Sequence, residues 1–151
     1  MIPQSKTSPR FDDLIGKPYH QGATGPDYYD CYGITMEVFR RLGWDLDIPS
    51  EILYNFGSRG WSYLRRNPEM WRMVDHPTKV GDLALIRGEI SDCSSDGQHY
   101  ARHLAVFIGE DKFLHCTKKT GVGIVRWKCL DPFTLFIIRH IPHPCILKED
   151  S

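Results

Sequence analysis

The amino-acid sequence predicts a single α+β domain, in which N-terminal helices pack on a C-terminal antiparallel β-sheet of about five strands. Helical periodicity is confined to the first half, where Ile34, Val38 and Leu42 recur at four-residue steps. After residue 80 the chain becomes a series of short apolar runs separated by Gly, Asp, Lys or Pro, which is typical of strands. A chain of 151 residues with 41% hydrophobic residues can bury one ordinary core. Helices followed by strands indicate an α+β arrangement.

The first long helix is predicted over residues 31–42. Asp30 suits its N-cap, and Gly43 ends it after Arg40 and Arg41, whose charges favour the last turn. A second helix is expected at "SRGWSYLRRN", residues 58–67, and a short helix or turn at "RFDDLIG". Residues 1–10 lack periodicity and are predicted to form a flexible N-terminal arm, which leaves residues 11–145 for the domain.

The second half is predicted to form a meandering antiparallel sheet. Each of its apolar runs is short and bounded by turn-forming residues. The predicted strands are residues 82–87, 103–109, 112–116, 122–127 and 134–140.

Composition disfavours several classes of partner. The charges of the 19 basic and 19 acidic residues cancel, so no net positive charge attracts nucleic acid or anionic lipid. The start "MIPQSKTSPRFDDL" lacks the apolar segment of a secretory signal, and no apolar run is long enough to span a bilayer. We therefore expect a protein made in the cytoplasm without a signal peptide, with no nucleic-acid partner and no membrane insertion.

The five cysteines are odd in number and widely spaced, which favours free thiols over disulfides. Cys31 stands out because it begins a predicted helix. The positive end of the helix dipole and the unpaired N–H groups there lower a thiol pKa and can stabilise an oxyanion. The alternative is that Cys31 is a small apolar residue buried at a helix start.

Two histidines in "RHLAVFIGEDKFLHC" are candidates for a base and its orienting partner. Alternation places His103 on the same face of its strand as Ala105. A three-residue loop, Gly109 to Asp111, would pair Ile108 with Lys112 and therefore Ala105 with His115. His103 and His115 would then be diagonal neighbours at about 7–8 Å between Cβ atoms. A two-residue loop would place them on opposite faces.

These residues support two hypotheses for the same region. In the first, Cys31 is the nucleophile, His103 the general base and His115 the residue that orients the base. Alternatively, the histidines are a half-buried structural pair bonded to backbone. A zinc site is also conceivable, but it is disfavoured because no Cys-x2-Cys pairing occurs and His115 and Cys116 point to opposite faces. Its ligands would come from Cys93, His99, His103, His115 and Cys116. We predict no metal and no cofactor.

The segments "GKPYHQGATGPDYYDCYGI", "VGDLALI" and "HLAVFIGEDKFLHC" together resemble the NlpC/P60 family of papain-like cysteine peptidases. The resemblance covers residues 11–140 and implies a papain-like fold. It also implies that Cys31 is the nucleophile, His103 the base and His115 the third polar residue. Tyr19 matches the tyrosine that borders the amino-terminal side of the substrate, and Asp30 matches the acidic residue before the nucleophile.

The family resemblance implies a cysteine peptidase that cleaves the γ-D-glutamyl bond to the diamino acid of peptidoglycan stem peptides. Two features depart from the family pattern: Tyr32 replaces the usual serine, and "HQGATG" replaces the usual glycine pair. We group Tyr32 with Tyr19 and Asp30 as predicted substrate-binding residues. The segments "DCYG" and "FIIRHIPHP" are closer to the branch found in phage tail-tip assembly proteins, which implies phage tail proteins as partners and a phage tail as location.

Two alternatives to a peptidoglycan peptidase remain open at the level of sequence. The first is a structural tail-assembly module that keeps the fold with little or no turnover. The second is a papain-like amidase or acyltransferase that acts on another amide or ester.

Overall fold

A computed structural model describes residues 10–54, 58–87 and 101–142 of the chain. Nearly all of the predicted N-terminal arm and the last residues of the predicted domain lie outside these ranges. The same holds for Cys93, His99 and Cys145, so the complete zinc alternative cannot be assembled from described residues.

The described helices precede most of the strands, as the sequence predicts. Two short 3-10 helices, Asp12–Leu14 and Asp131–Phe133, accompany the α-helices. The α-helices are α1 (Cys31–Leu42), α2 (Ser50–Tyr54), α3 (Ser58–Arg66) and α4 (Trp127–Leu130). The strands are β1 (Trp71–Val74), β2 (Leu83–Arg87), β3 (Ala101–Gly109), β4 (Lys112–Thr117), β5 (Gly121–Arg126) and β6 (Thr134–His140).

The strands form one six-stranded sheet in the order β1-β6-β2-β3-β4-β5, and all neighbours are antiparallel. The α+β class and the bounds of α1 are therefore confirmed, as are all five predicted strands to within two residues. The sixth strand, β1, was missed because it has four residues, two of them exposed, and shows no alternation. Trp127 begins α4 and does not extend the preceding strand.

The sheet buries side chains on both faces. On one face, Ile34, Val38 and Phe39 of α1 join Leu104 and Val106 in the larger hydrophobic core. Burying an aliphatic or aromatic side chain of this size contributes about 1.5–3 kcal/mol. The smaller core on the other face contains Ala84, Ile86, Ala105, Phe107, Phe113 and Leu130. Alternate residues of β3 thus belong to different cores.

Three tryptophans pack against other aromatic side chains of the protein. Trp71 is buried and stacks on Phe39. Trp61 makes an edge-to-face contact with Phe136, and the ring of Trp127 packs on Phe113. Within the described ranges, no helix combines the length and apolar character needed to cross a membrane.

A buried ion pair connects the start of β2 with the end of β6. Asp82 is 1% exposed and accepts two hydrogen bonds from the Arg139 guanidinium, each 2.8 Å long. Its carboxylate also accepts from the backbone N–H groups of Thr78 and Lys79. Because the carboxylate is removed from water, these four donors replace the hydrogen bonds that it would make with water.

We expect Asp82→Asn to lower the free energy of unfolding by about 3–5 kcal/mol, because the substitution leaves Arg139 without its buried counter-charge. Urea unfolding followed by circular dichroism measures the change. Asp111→Asn is the matched control, since Asp111 makes a similar 2.7 Å pair with Arg126 at an exposed position. Equal losses in the two variants would contradict a special role for the buried pair.

Candidate active site

The start of α1 is held by the carboxylate of Asp30. Its Oδ1 accepts a 2.7 Å hydrogen bond from the Gly33 N–H, which confirms Asp30 as the predicted N-cap. Its Oδ2 accepts a 2.8 Å bond from the N–H of Gly22 in the preceding loop. Cys31, the first residue of the helix, is 6% exposed. One carboxylate therefore connects the loop to the turn that carries the candidate nucleophile.

The loop before α1 lies tightly against the helix start. The backbone N–H of Asp30 donates to the Ala23 carbonyl at 3.1 Å. A Cβ added to Gly33 would lie 2.1 Å from that same carbonyl oxygen, so a larger residue would displace the loop. The glycine of the Asp-Cys-x-Gly pattern is thus explained by this close approach.

His103 and His115 are in direct contact. Their Nε2 and Nδ1 atoms, respectively, are 3.0 Å apart, and the rings meet edge to face. Burial, and secondarily the neighbouring His115, lowers the pKa of His103 to about 4. Burial also lowers the pKa of His115. Both imidazoles are therefore neutral at pH 7, when one can donate a hydrogen bond to the other.

The β3–β4 hairpin brings the histidines together by a route that differs from the predicted one. Lys112 pairs with Gly109, so the turn has two residues, not three. Ile108 bulges out of the register, and Phe107 pairs with Phe113 beyond it. Because of this extra residue, His103 and His115 have side chains on the same face of the hairpin. A two-residue turn without a bulge would place them on opposite faces. The predicted shared face of the histidines is consistent with their observed contact.

The helix start and the imidazole pair lie at the same end of the sheet. His115 is followed by Cys116, whose Sγ donates a 3.2 Å hydrogen bond to the Tyr29 carbonyl. Tyr29 is two residues before Cys31, so the end of β4 contacts the segment that leads into α1. This contact between distant parts of the chain was not anticipated from the sequence. Its one sequence signal is that Cys116 directly follows His115, so the two side chains lie on opposite faces of the strand.

The body of α1 packs against the sheet face opposite the one that carries His103. Its side chains join Leu104 and Val106, whereas His103 alternates with these residues and pairs with Ile86 of the smaller core. A contact between Cys31 and His103 would therefore have to form at the end of the sheet where β3 begins.

Tyr19 lies beside the helix start. It forms a bridge with Tyr29, and burial raises its pKa, as do the nearby Cys31 and Asp30 to a smaller extent. Tyr32 is directed elsewhere: its hydroxyl donates a 2.8 Å hydrogen bond to the Ile48 carbonyl, ahead of α2. Tyr19 and Asp30 thus lie together at the start of α1, while Tyr32 links this helix to the next segment.

In the part of the chain that the structure describes, no group of three His, Cys, Asp or Glu residues could hold a metal ion. His20 and His76 are exposed, whereas His140 is partly buried among Phe39, Trp44 and Trp71.

Comparison with known proteins identifies the family. The sequence profile of the NlpC/P60 family matches residues 16–129, which include Cys31, His103 and His115. The chain belongs to the NlpC/P60 family. Members of this family are cysteine peptidases that hydrolyse peptidoglycan.

The curated relatives of this NlpC/P60 chain include a murein enzyme. Murein DD-endopeptidase MepS/murein LD-carboxypeptidase from Escherichia coli is 27% identical over 121 residues, which cover 80% of this chain and 53% of the relative. The chain thus spans about half the length of the curated relatives it matches.

Solved structures support the papain-like fold. NlpC2 from Trichomonas vaginalis has a TM-score of 0.58 at 16% identity, with 83% of this chain and 42% of that chain covered. The NlpC/P60 domain of the peptidoglycan hydrolase SagA has a TM-score of 0.52 at 22% identity, with 85% and 91% covered.

We expect the stability of the protein to fall as the pH drops below about 6.5. Folding lowers the pKa of His103 from 6.5 to about 4, so between these values the unfolded chain binds a proton that the folded protein does not. From these pKa values, His103 alone accounts for about 2 kcal/mol between pH 8 and pH 5. His115 and His140, whose pKa values burial also lowers, act in the same direction.

Urea unfolding of wild type and His103→Gln at several pH values measures this contribution. The variant should lose part of the pH dependence between pH 6.5 and 4, while the exposed control His76→Gln should retain all of it. An unchanged pH dependence in His103→Gln would contradict the lowered pKa.

Proposed function

We propose that this NlpC/P60 chain is a cysteine peptidase that cleaves peptidoglycan stem peptides at the bond between γ-D-glutamate and the diamino acid. Cys31 acts as nucleophile, His103 as general base and His115 as the residue that orients the base. The observation that carries the proposal is the 3.0 Å contact between the two imidazoles, at the sheet end next to the Asp30-capped helix start.

The imidazole contact determines which nitrogen of His103 can act as base. Its Nε2 faces His115, so its Nδ1 is the atom that remains to accept a proton from the thiol. A neutral His103 with a free lone pair on Nδ1 carries its proton on Nε2, which then donates to Nδ1 of His115. In this tautomer the contact with His115 holds the ring orientation of the base.

The reaction follows from these roles in two steps. The Cys31 sulfur attacks the scissile carbonyl carbon and its proton passes to Nδ1 of His103; the imidazolium then protonates the amide nitrogen as the C–N bond breaks. A water molecule attacks the carbonyl carbon of the resulting thioester and gives a proton to His103, which passes it to the sulfur as the C–S bond breaks and the acid is released. The Gly33 N–H is held by Asp30 and is not available to the oxyanion.

A role in substrate binding is proposed for Tyr19, Asp30 and Tyr32. Support is strongest for Tyr19, because it lies beside the candidate nucleophile. Both carboxylate oxygens of Asp30 are engaged in the loop and helix start, so its contribution is to shape the site. Tyr32 is the residue directly after the nucleophile, and its hydroxyl is held by the Ile48 carbonyl.

A phage or prophage tail is the setting that we propose for this activity, with synthesis in the cytoplasm. The support is the "DCYG" pattern with Tyr32 and the closing segment "FIIRHIPHP". The partners in this setting are the peptidoglycan peptide and phage tail proteins.

The proposed reaction is tested with a defined stem peptide and mass spectrometry of the products. We expect cleavage at the γ-D-glutamyl bond by wild type, no cleavage by Cys31→Ala, and a rate roughly a hundred- to ten-thousand-fold lower for His103→Gln. Cys129→Ala is the control, because Cys129 is an exposed cysteine outside the site. Its activity should equal that of wild type.

Alkylation by iodoacetamide, read at each cysteine by peptide mass spectrometry, separates the alternatives. A nucleophilic Cys31 should react faster than Cys129 despite its burial, and His103→Gln should remove the difference. A Cys31 that reacts no faster than Cys129 would contradict the catalytic assignment and favour a structural module. A reactive Cys31 without cleavage of the stem peptide would contradict the substrate and favour another amide or ester.

A further inference from the structure

We propose that Cys116 is a positioning residue, whose thiol holds the Tyr29 carbonyl and thereby fixes the nucleophile segment relative to the strand that carries His115. The contact connects residues 87 positions apart, with an Sγ to oxygen distance of 3.2 Å. Its effect on turnover rests on the proposed function, whereas its effect on the geometry of the segment does not.

The Tyr29 carbonyl accepts two hydrogen bonds. The backbone N–H of His20 donates to it at 3.0 Å, and the thiol of Cys116 provides the second donor. Cys116 is buried in the larger core, where a carbonyl lone pair has no water to replace a lost donor. The thiol thus satisfies a buried acceptor that lies just before the start of α1.

Cys116 is suited to remain a donor. Burial raises the pKa of its thiol to about 11, and the proximity of Cys31 and Asp30 acts in the same direction. The group is therefore an S–H at neutral pH, also when a charge forms on Cys31. A thiolate at this position would repel the carbonyl oxygen that it now holds.

Because of its position in β4, Cys116 connects the nucleophile segment to the imidazole pair. Cys116 pairs with Val122 in β5, which fixes its backbone, and it directly follows His115, which contacts His103 of β3. The Tyr29 carbonyl is two residues from Cys31. The bond therefore sets the distance between the segment that carries the Cys31 thiol and β4, the strand that carries His115, and small displacements of reacting groups reduce rates strongly.

Two substitutions distinguish loss of the hydrogen bond from loss of packing. Cys116→Ala removes the donor, whereas Cys116→Ser keeps one of similar size. We expect kcat for the stem peptide to fall about tenfold in Cys116→Ala with KM changed less than about twofold, and Cys116→Ser to recover most of kcat. The control is Val106→Ala, which truncates a side chain of the same core and leaves the Cys116 thiol in place.

A second measurement does not depend on turnover. Amide hydrogen exchange at Gly22, Asp30 and Gly33 should be about tenfold faster in Cys116→Ala than in wild type, and close to wild type in Cys116→Ser. Val106→Ala should lower the melting temperature without this local pattern.

The outcomes separate this inference from the proposed function. An inactive wild type that still shows faster exchange only in Cys116→Ala would refute the proposed function and support the positioning role. Exchange in Cys116→Ala equal to that of wild type would overturn the inference, whatever the activity. So would equal loss of kcat in the alanine and serine variants, because the donor would then be irrelevant.

Discussion

The carboxylate of Asp30 is the contact on which the rest of the candidate site depends. It satisfies an N–H of the first turn of α1 and an N–H of the preceding loop, and it is itself buried. The loop can therefore lie against the helix only where Gly33 leaves space for the Ala23 carbonyl. Cys31 owes its place to this arrangement, because the helix begins where the carboxylate caps it.

The second half of the site depends on the register of the β3–β4 hairpin. One bulged residue, Ile108, compensates for a turn that is one residue shorter than predicted, so His103 and His115 still meet. Burial keeps both rings neutral at pH 7, and their contact leaves Nδ1 of His103 as the nitrogen that can act as base. The Cys116 thiol then connects this hairpin to the Tyr29 carbonyl, which brings the two halves of the site into one geometry.

Local sequence signals were sufficient for most of the elements. The Asp30 N-cap, the apolar residues at four-residue steps and Gly43 define α1. Five strands follow from apolar runs between turn-forming residues. The face of β3 that α1 covers could not be predicted, since both Leu104 and its neighbour Ala105 are apolar and buried. The Cys116 contact was equally hidden, because it joins residues that only the folded sheet brings together.

The central claim is that the thiol of Cys31 and the imidazole of His103 act as one unit. The most direct test is long-range ¹H–¹⁵N NMR of the His103 ring in wild type and Cys31→Ala. Our account predicts that removing the thiol shifts the Nδ1 resonance and changes the titration of His103, while Nε2 keeps its bond to His115. Identical Nδ1 resonances and titration curves in the two proteins would contradict the account.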